Sequence, residues 1–285
     1  MDNLDSTNNK VIFIKKASGD EEPFSTDKLK RSLLNAGAKN ETIQKIVLDI
    51  ENWIYPGITT RKIYSRAFKM LRHEKSTSSL RYSLKKAILE LGPTGYPFEI
   101  LIGKLFQHMG FKTEVGIVIE GSCVSHEMDV IATHDIVQHL VECKYHTDQG
   151  KQVGVQVPLY VCSRVNDIVS KRKGMLEYKD FTFTGWVVTN TRFSSDSIQY
   201  GVCNGLNLLA WNYPTGNGLQ ESIEKFKIYP ITVLKNLSIK EKQYLLNEGI
   251  VTCSQLLENT DSLNYLELSR TKHNILMKEL DEICF

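Results

Sequence analysis

Three strand-like runs in the middle of this 285-residue chain constrain its fold most: Thr113 to Glu120, Met128 to Thr133 and Val137 to Lys144. A helix precedes them, from Phe98 to His108, with Phe98, Leu101, Leu105 and Met109 along one face and Gly110 at its end. Side chains at i and i+2 of a strand share a face. Glu127 and Asp129 therefore project together, and so do Glu142 and Lys144. Antiparallel pairing of the second and third runs brings Asp129 beside Glu142. Two close carboxylates repel unless a divalent cation lies between them. Lys144, on the face of Glu142, is placed to position or activate a water. Glu99 lies beside the apolar face of the helix, with Ile102 and Phe106 at i+3 and i+7. Such a carboxylate needs a partner, because burying it unpaired is costly. An aspartate, a glutamate, a lysine and an upstream helical glutamate form the set that magnesium-assisted phosphodiester hydrolysis uses.

The segment 96–215 resembles the PD-(D/E)XK nucleases, most closely the Mrr-like type IV restriction endonucleases. The resemblance rests on Phe98-Glu99, Gly110-Phe111, Met128-Asp129-Val130-Ile131 and Val141-Glu142-Cys143-Lys144. Gly185 to Asn190, Phe193-Ser194 and Leu206 to Leu209 fit the strand–helix–strand finish of that fold. The resemblance implies a catalytic set of Glu99, Asp129, Glu142 and Lys144. In it Asp129 and Glu142 ligate Mg2+ (or Mn2+), and Glu99 completes the metal shell or holds a water. Lys144 orients the attacking water and stabilises charge in the transition state. His126-Glu127 departs from the pattern, which has glycines before the aspartate, so Glu127 is either an added ligand or a surface residue. Gln156 and Tyr160, on a helix with Pro158 near its start, are candidates for DNA contact, with ordinary packing the commoner alternative. His126, His139 and His146 are the histidines close enough in sequence to matter. Their spacing matches no zinc motif, so ordinary polar contacts are expected, with His146 the one kept as a candidate.

Charge is uneven along the chain. Residues 1–98 carry 17 Lys and Arg against 11 Asp and Glu, whereas 99–228 carry 12 against 14 and 229–285 carry 6 against 8. The first third is thus where an anionic ligand is expected. There Val11 to Ile14 reads as a strand, and Ser25 as the N-cap of a helix carrying Leu29, Leu33 and Ala36. Further helices are expected from Asn40, from Thr60 and from about Ser78, the last stopping at Gly92-Pro93. Lys16 at a strand end and Lys28 in a first helical turn are placed to converge on a triphosphate, and Thr60 lies at a helix N-terminus.

This region resembles the ATP-cone, a small regulatory nucleotide-binding domain, over roughly residues 10–95. The matching residues are Val11 to Lys16, Glu22-Pro-Phe24, Lys28, Ser32 to Leu34, Ala36-Gly37, Gly57 to Thr60, Ile63-Tyr64, Arg81-Tyr82 and Glu90 to Pro93. The resemblance implies binding of ATP or dATP without hydrolysis, through Lys16, Lys28, Thr60 and Tyr64, with Lys85 a weaker candidate. The family's Lys-Arg-Asp-Gly turn is here Lys16-Ala17-Ser18-Gly19. No phosphate-binding P-loop is present, because Gly92 to Gly95 lacks the following Gly-Lys-Ser/Thr.

Asn212 to Gly218 is a turn-rich boundary, and short helices follow from Tyr229-Pro230. Leu245-Leu-Asn-Glu-Gly-Ile250 resembles a helix-hairpin-helix element, whose backbone N–H groups grip DNA phosphates in proteins that use it so. The segment is net acidic, which favours packing or oligomerisation instead. The six cysteines lie far apart in sequence, so no zinc ribbon is expected. The polar start, Met1 to Lys10, lacks the apolar core of a secretory signal, and no run long enough to span a membrane occurs. A cytoplasmic protein with reduced thiols and no membrane partner is the expectation.

The expected architecture is α+β and multidomain: a polar tail (1–9), a small helical ATP-cone (10–95), an α/β PD-(D/E)XK core with a central mixed sheet (96–222), and a small all-α, helix-hairpin-helix-like tail (228–285). The expected function is a Mg2+-dependent DNA endonuclease regulated by ATP or dATP, acting as a homo-oligomer, with restriction or anti-phage defence as its setting by analogy. The alternatives are a non-catalytic nucleotide-sensing DNA-binding regulator, and a repair or RNA nuclease.

Overall fold

The structure is a computed structural model describing residues 11–16, 18–36, 38–73 and 83–285. The chain divides into two compact units, Met1 to Tyr82 and Ser83 to Phe285. The polar tail, Ala17, Gly37, Arg81-Tyr82 and the expected helix start near Ser78 lie outside the described residues.

In the first unit an antiparallel hairpin, β1 (Phe13–Lys15) and β2 (Glu21–Pro23), precedes α1 (Thr26–Asn35), α2 (Asn40–Trp53) and α3 (Thr60–His73). Ser25 caps α1 as its sequence implies: its hydroxyl accepts the Lys28 N–H at 3.2 Å. Leu33, Ile50, Ala67 and Leu71 are fully buried, one stripe from each helix, and Ile14 of the hairpin joins the same core. Burying a side chain of that size is worth about 1.5–3 kcal/mol, which is what holds helices this short together.

The second unit begins with α4 (Leu84–Leu89) and α5 (Tyr96–His108). Next come β3 (Lys112–Glu120), β4 (Ser125–His134), β5 (Val137–Lys144), the short β6 (Gln152–Val153) and α6 (Gln156–Lys173). They are followed by β7 (Thr182–Thr189), β8 (Arg192–Phe193), α7 (Ser195–Cys203) and β9 (Asn207–Leu209). The five-stranded sheet has the order β3-β4-β5-β7-β9. Its first two junctions are antiparallel and its last two parallel, so the sheet is mixed, as expected. The parallel step from β5 to β7 needs a crossover, and α6 supplies it.

Helices cover both faces. Phe106 of α5 meets His139 and Trp186, while Val161, Val165 and Ile168 of α6 share a core with Leu140 and Val187. Adjacent strand residues point to opposite faces, so α5 and α6 lie on opposite sides. Gly185 of β7 permits the close approach of α6: a Cβ there would stand 3.0 Å from Val165 and 2.6 Å from Leu206.

The division falls before the first expected boundary. The helix ending near Leu89 belongs to the second unit, not to a first domain running to residue 95. Ala87 and Ile88 are buried there, and the Thr232 hydroxyl donates to the Ala87 carbonyl at 2.7 Å. The C-terminal helices lie in the same compact unit. They are α8 (Leu219–Phe226), α9 (Ile239–Asn247), α10 (Cys253–Glu258) and α11 (Arg270–Cys284). Among the described residues no helix is long and apolar enough to cross a membrane.

Candidate active site at the open end of β4 and β5

The β4–β5 ladder runs from His134–Val137 to Val130–Val141. Continued by one step, its register sets Asp129 opposite Glu142, as the period-two reading implies. There the strands part, and the Asp129 carboxylate accepts the Cys143 N–H at 2.6 Å in place of a backbone carbonyl. The other neighbour of Asp129 is also irregular. Pairing with β3 passes from Val115–Val130 to Ile117–Met128 and skips Gly116, which sits at φ 65°. Only glycine takes that conformation without strain, so the site aspartate lies beside a built-in interruption of the edge strand.

Glu142 is buried, with its side chain 4% exposed, and both its oxygens are engaged. Oε1 accepts the Tyr160 hydroxyl at 2.7 Å and lies 2.8 Å from the Lys144 ammonium. Oε2 accepts Nη1 of Arg164 at 2.7 Å. Arg164 also donates, through Nη2, to the carbonyl of Glu127 on β4. Tyr160 and Arg164 are one turn apart on α6, so one stripe of that helix serves the carboxylate. Both cations also approach the face of the Tyr160 ring, Lys144 at 5.4 Å and Arg164 at 5.9 Å from its centroid.

Glu99 lies in the first turn of α5. Burial, together with the Asp129, Glu127 and Glu142 charges, pushes its carboxyl up to about 7. Burial and the Glu142 charge push Asp129 up to about 6, against the pull of the Cys143 N–H, Lys144 and Arg164. Burial opposes the charge on Lys144, but its bonds to Glu142 and Tyr160 outweigh this and hold its pKa above the ordinary lysine range. Burial raises Tyr160 to about 12. Four carboxylates thus influence one another across the end of the sheet, against two cations.

Among the described residues no three or more His, Cys, Asp or Glu side chains stand close enough to cage a metal. The donors do fit a cation of another kind. Mg2+ is held by one or two carboxylates, with waters and substrate phosphate filling its remaining positions. Asp129 and Glu142, opposed in register among four carboxylates, would supply such ligands.

The remaining candidates have neighbours of their own. Tyr160 is a partner of Glu142, and the amide of Gln156 lies against Gly154. His126 is 2.8 Å from Asp167, which also accepts the Cys123 N–H at 2.9 Å and so pins the β3–β4 turn to α6. His139 sits among Phe106, Phe111 and Trp186. The backbone of His146 is clamped from both sides by Asn190: the His146 N–H donates to Oδ1 at 2.8 Å, and Nδ2 donates to the His146 carbonyl at 2.7 Å. The Thr189 hydroxyl donates to the Lys144 carbonyl at 2.7 Å, so β7 and its exit fix the strand end that carries Lys144. Arg164 and Asp167 are not legible in the sequence as site-supporting residues, since neither belongs to a spaced motif.

In the first unit Glu22 draws Lys16 and Lys28 together, at 2.8 and 3.0 Å. Burial works against the Glu22 charge, yet the two lysines outweigh it and lower its pKa. Thr60 opens α3, and the bridge between Lys15 and Thr59 brings that helix start to the hairpin. Tyr64 stacks on Phe68. Lys85 is not in this unit; its ammonium lies 5.6 Å from the ring centroid of Trp211 in the second. The helix that carries Lys85 packs with the C-terminal segment.

In the hairpin between α9 and α10 most of the N–H groups have partners within the unit. Gly249 and Ile250 donate to Leu246 and Leu245, Val251 and Thr252 to the Gln255 side chain, and Cys253 to Tyr229.

Comparison with known proteins gives the following. Residues 229–284 match the family model described as AF1548-like, C-terminal. An uncharacterized protein of Archaeoglobus fulgidus is 28% identical over 183 residues, spanning 64% of this chain and 99% of that protein. The crystal structure of AF1548, a protein of unknown function, is similar at 28% identity with a TM-score of 0.54, over 67% of this chain and 98% of that one. MspJI restriction endonuclease in complex with a 27-mer oligonucleotide is similar at 14% identity with a TM-score of 0.37, over 60% of this chain and 36% of that chain.

Proposed function

We propose that the second unit is a Mg2+-dependent DNA endonuclease, with Glu99, Asp129, Glu142 and Lys144 as its working set. The observation that carries this reading is the meeting of Asp129 and Glu142 at the parted strand ends, with Lys144 two residues beyond on the same face. A bound Mg2+ (or Mn2+) supplies Lewis-acid polarisation of a phosphate and a more acidic water. Asp129 and Glu142 would hold it, and Glu99 would complete its shell or hold a water. Lys144 stays protonated, orients the attacking water and stabilises charge that grows on the phosphate oxygens.

The first unit, on this reading, binds ATP or dATP through Lys16, Lys28, Thr60 and Tyr64 and regulates cleavage or assembly. Cutting both strands of a duplex calls for a homo-oligomer, and restriction or anti-phage defence is the setting in which such an enzyme works.

Plasmid cleavage with Mg2+, across a titration of ATP and dATP and alongside Lys144→Ala, tests both parts. Cleavage that disappears in the variant and changes with nucleotide is the expected result. Cleavage indifferent to nucleotide removes the regulatory half. No cleavage of plain, methylated or single-stranded DNA, or of RNA, under any nucleotide overturns the enzyme reading in favour of a nucleotide-sensing DNA-binding regulator. Cleavage of RNA alone redirects the substrate class.

A further inference from the structure

We propose that Arg164 is a resident counter-ion for Glu142 that a divalent cation displaces, so that Arg164 sets how tightly the site takes its metal. The inference rests on the metal-dependent reading of the site and adds a residue to it.

The hydrogen bonds around Glu142 are not equivalent. A carboxylate oxygen offers two lone-pair sites. Oε1 has both filled, by Tyr160 and Lys144, and each of these is short. Oε2 has one donor, Arg164 at 2.7 Å. A cation approaching Glu142 therefore finds its open lone pair on Oε2, beside a guanidinium that already holds the other. Two like charges on one oxygen repel, and a carboxylate cannot satisfy both as well as either alone.

Of the two side-chain cations, Arg164 is the one built to leave. Lys144 is on β5 beside Glu142, with its backbone fixed by Thr189. Arg164 reaches in from α6, outside the sheet, on a longer side chain. Its second tie, to the Glu127 carbonyl, lies where β4 has separated from β5, so the guanidinium can pivot off Glu142 and stay anchored at the rim. The surplus of negative charge from Glu99, Glu127, Asp129 and Glu142 explains why the site holds a protein cation there at all. Without one, a buried carboxylate would lose a charge-assisted partner.

The test measures metal binding without nucleic acid. Mg2+ is titrated calorimetrically into the full chain, into Arg164→Gln, Arg164→Lys and Asp129→Asn. Arg164→Gln is expected to bind Mg2+ about tenfold more tightly than the unaltered chain, the worth of one hydrogen bond to a charged group. Arg164→Lys should fall between them, and Asp129→Asn should lose binding. In the unaltered chain the 15N guanidinium resonance of Arg164, assigned with Arg164→Lys, should shift as Mg2+ saturates. This readout holds even if Arg164→Gln does not fold. Equal or weaker binding in Arg164→Gln, or a guanidinium resonance unmoved at saturation, overturns the inference while leaving the metal site standing. No heat from any of the four proteins overturns the metal site and the inference together.

Discussion

Tyr160 donates its hydroxyl to Oε1 of Glu142 at 2.7 Å, joining a helix residue to a strand carboxylate 18 residues earlier in the chain. The bond fixes the rotation of α6 about its axis at the site. It also fills one of the two Oε1 positions, leaving Lys144 the other. Tyr160→Phe keeps the ring and removes the donor, so it is expected to destabilise the fold by about 1–2 kcal/mol and to slow Mg2+-dependent cleavage about tenfold. Urea unfolding and single-turnover cleavage check the two effects separately.

Asp129 is held against its own electrostatics. Its carboxyl is pushed up to about 6 by burial and by Glu142. Asp129→Asn removes the repulsion while its amide oxygen still accepts the Cys143 N–H. The variant is expected to gain about 1 kcal/mol of stability at pH 7.5 and to lose cleavage entirely, a trade common at functional sites. A variant no more stable than the unaltered chain would show that the charge costs the fold nothing.

Asp167 is the acid that ties the β3–β4 turn to α6. His126 leads the interactions that bring its carboxyl down to about 2, against burial. A lowered carboxyl pKa gives stability that is fully present above the ordinary value near 4 and is lost as pH falls toward 2. In Asp167→Asn the dependence of unfolding free energy on pH across that window should flatten, as urea denaturation at pH 2.5, 3.5 and 4.5 will read.

His139 has the opposite surroundings: burial among aromatic rings, which lowers its pKa. Its imidazole stays neutral in the fold at a pH where the unfolded chain takes up a proton. Stability is therefore complete above about pH 6.5 and declines as pH falls below it. Replacing His139 by Phe should remove that decline, measured as melting temperature from pH 7.5 to 5.

Glu22 competes with any anion for Lys16 and Lys28. If the first unit binds ATP there, Glu22→Gln should tighten binding several-fold at low salt, with the gain shrinking at high salt as screening increases. Equilibrium dialysis with labelled ATP measures it, and weaker binding would show that Glu22 organises the lysines instead.

The amino-acid sequence by itself determined the elements and the facing of the two site carboxylates. Apolar spacing marked α5 and the third strand, Ser25 marked the start of α1, and the period of two put Lys144 on the face of Glu142. Those properties depend on neighbours within a few residues, and chain geometry carries them directly. Tertiary structure alone decided what Glu142 touches and which partners α4 and the α9–α10 hairpin take. Arg164 meets Glu142 only because α6 crosses between β5 and β7 at one rotation. Ala87 takes the Thr232 hydroxyl from 145 residues away. The hairpin N–H groups are consumed by Gln255, Tyr229 and their own helix. Each is a long-range pairing or a competition for one donor, and a sequence pattern states which groups exist without stating which partner wins them.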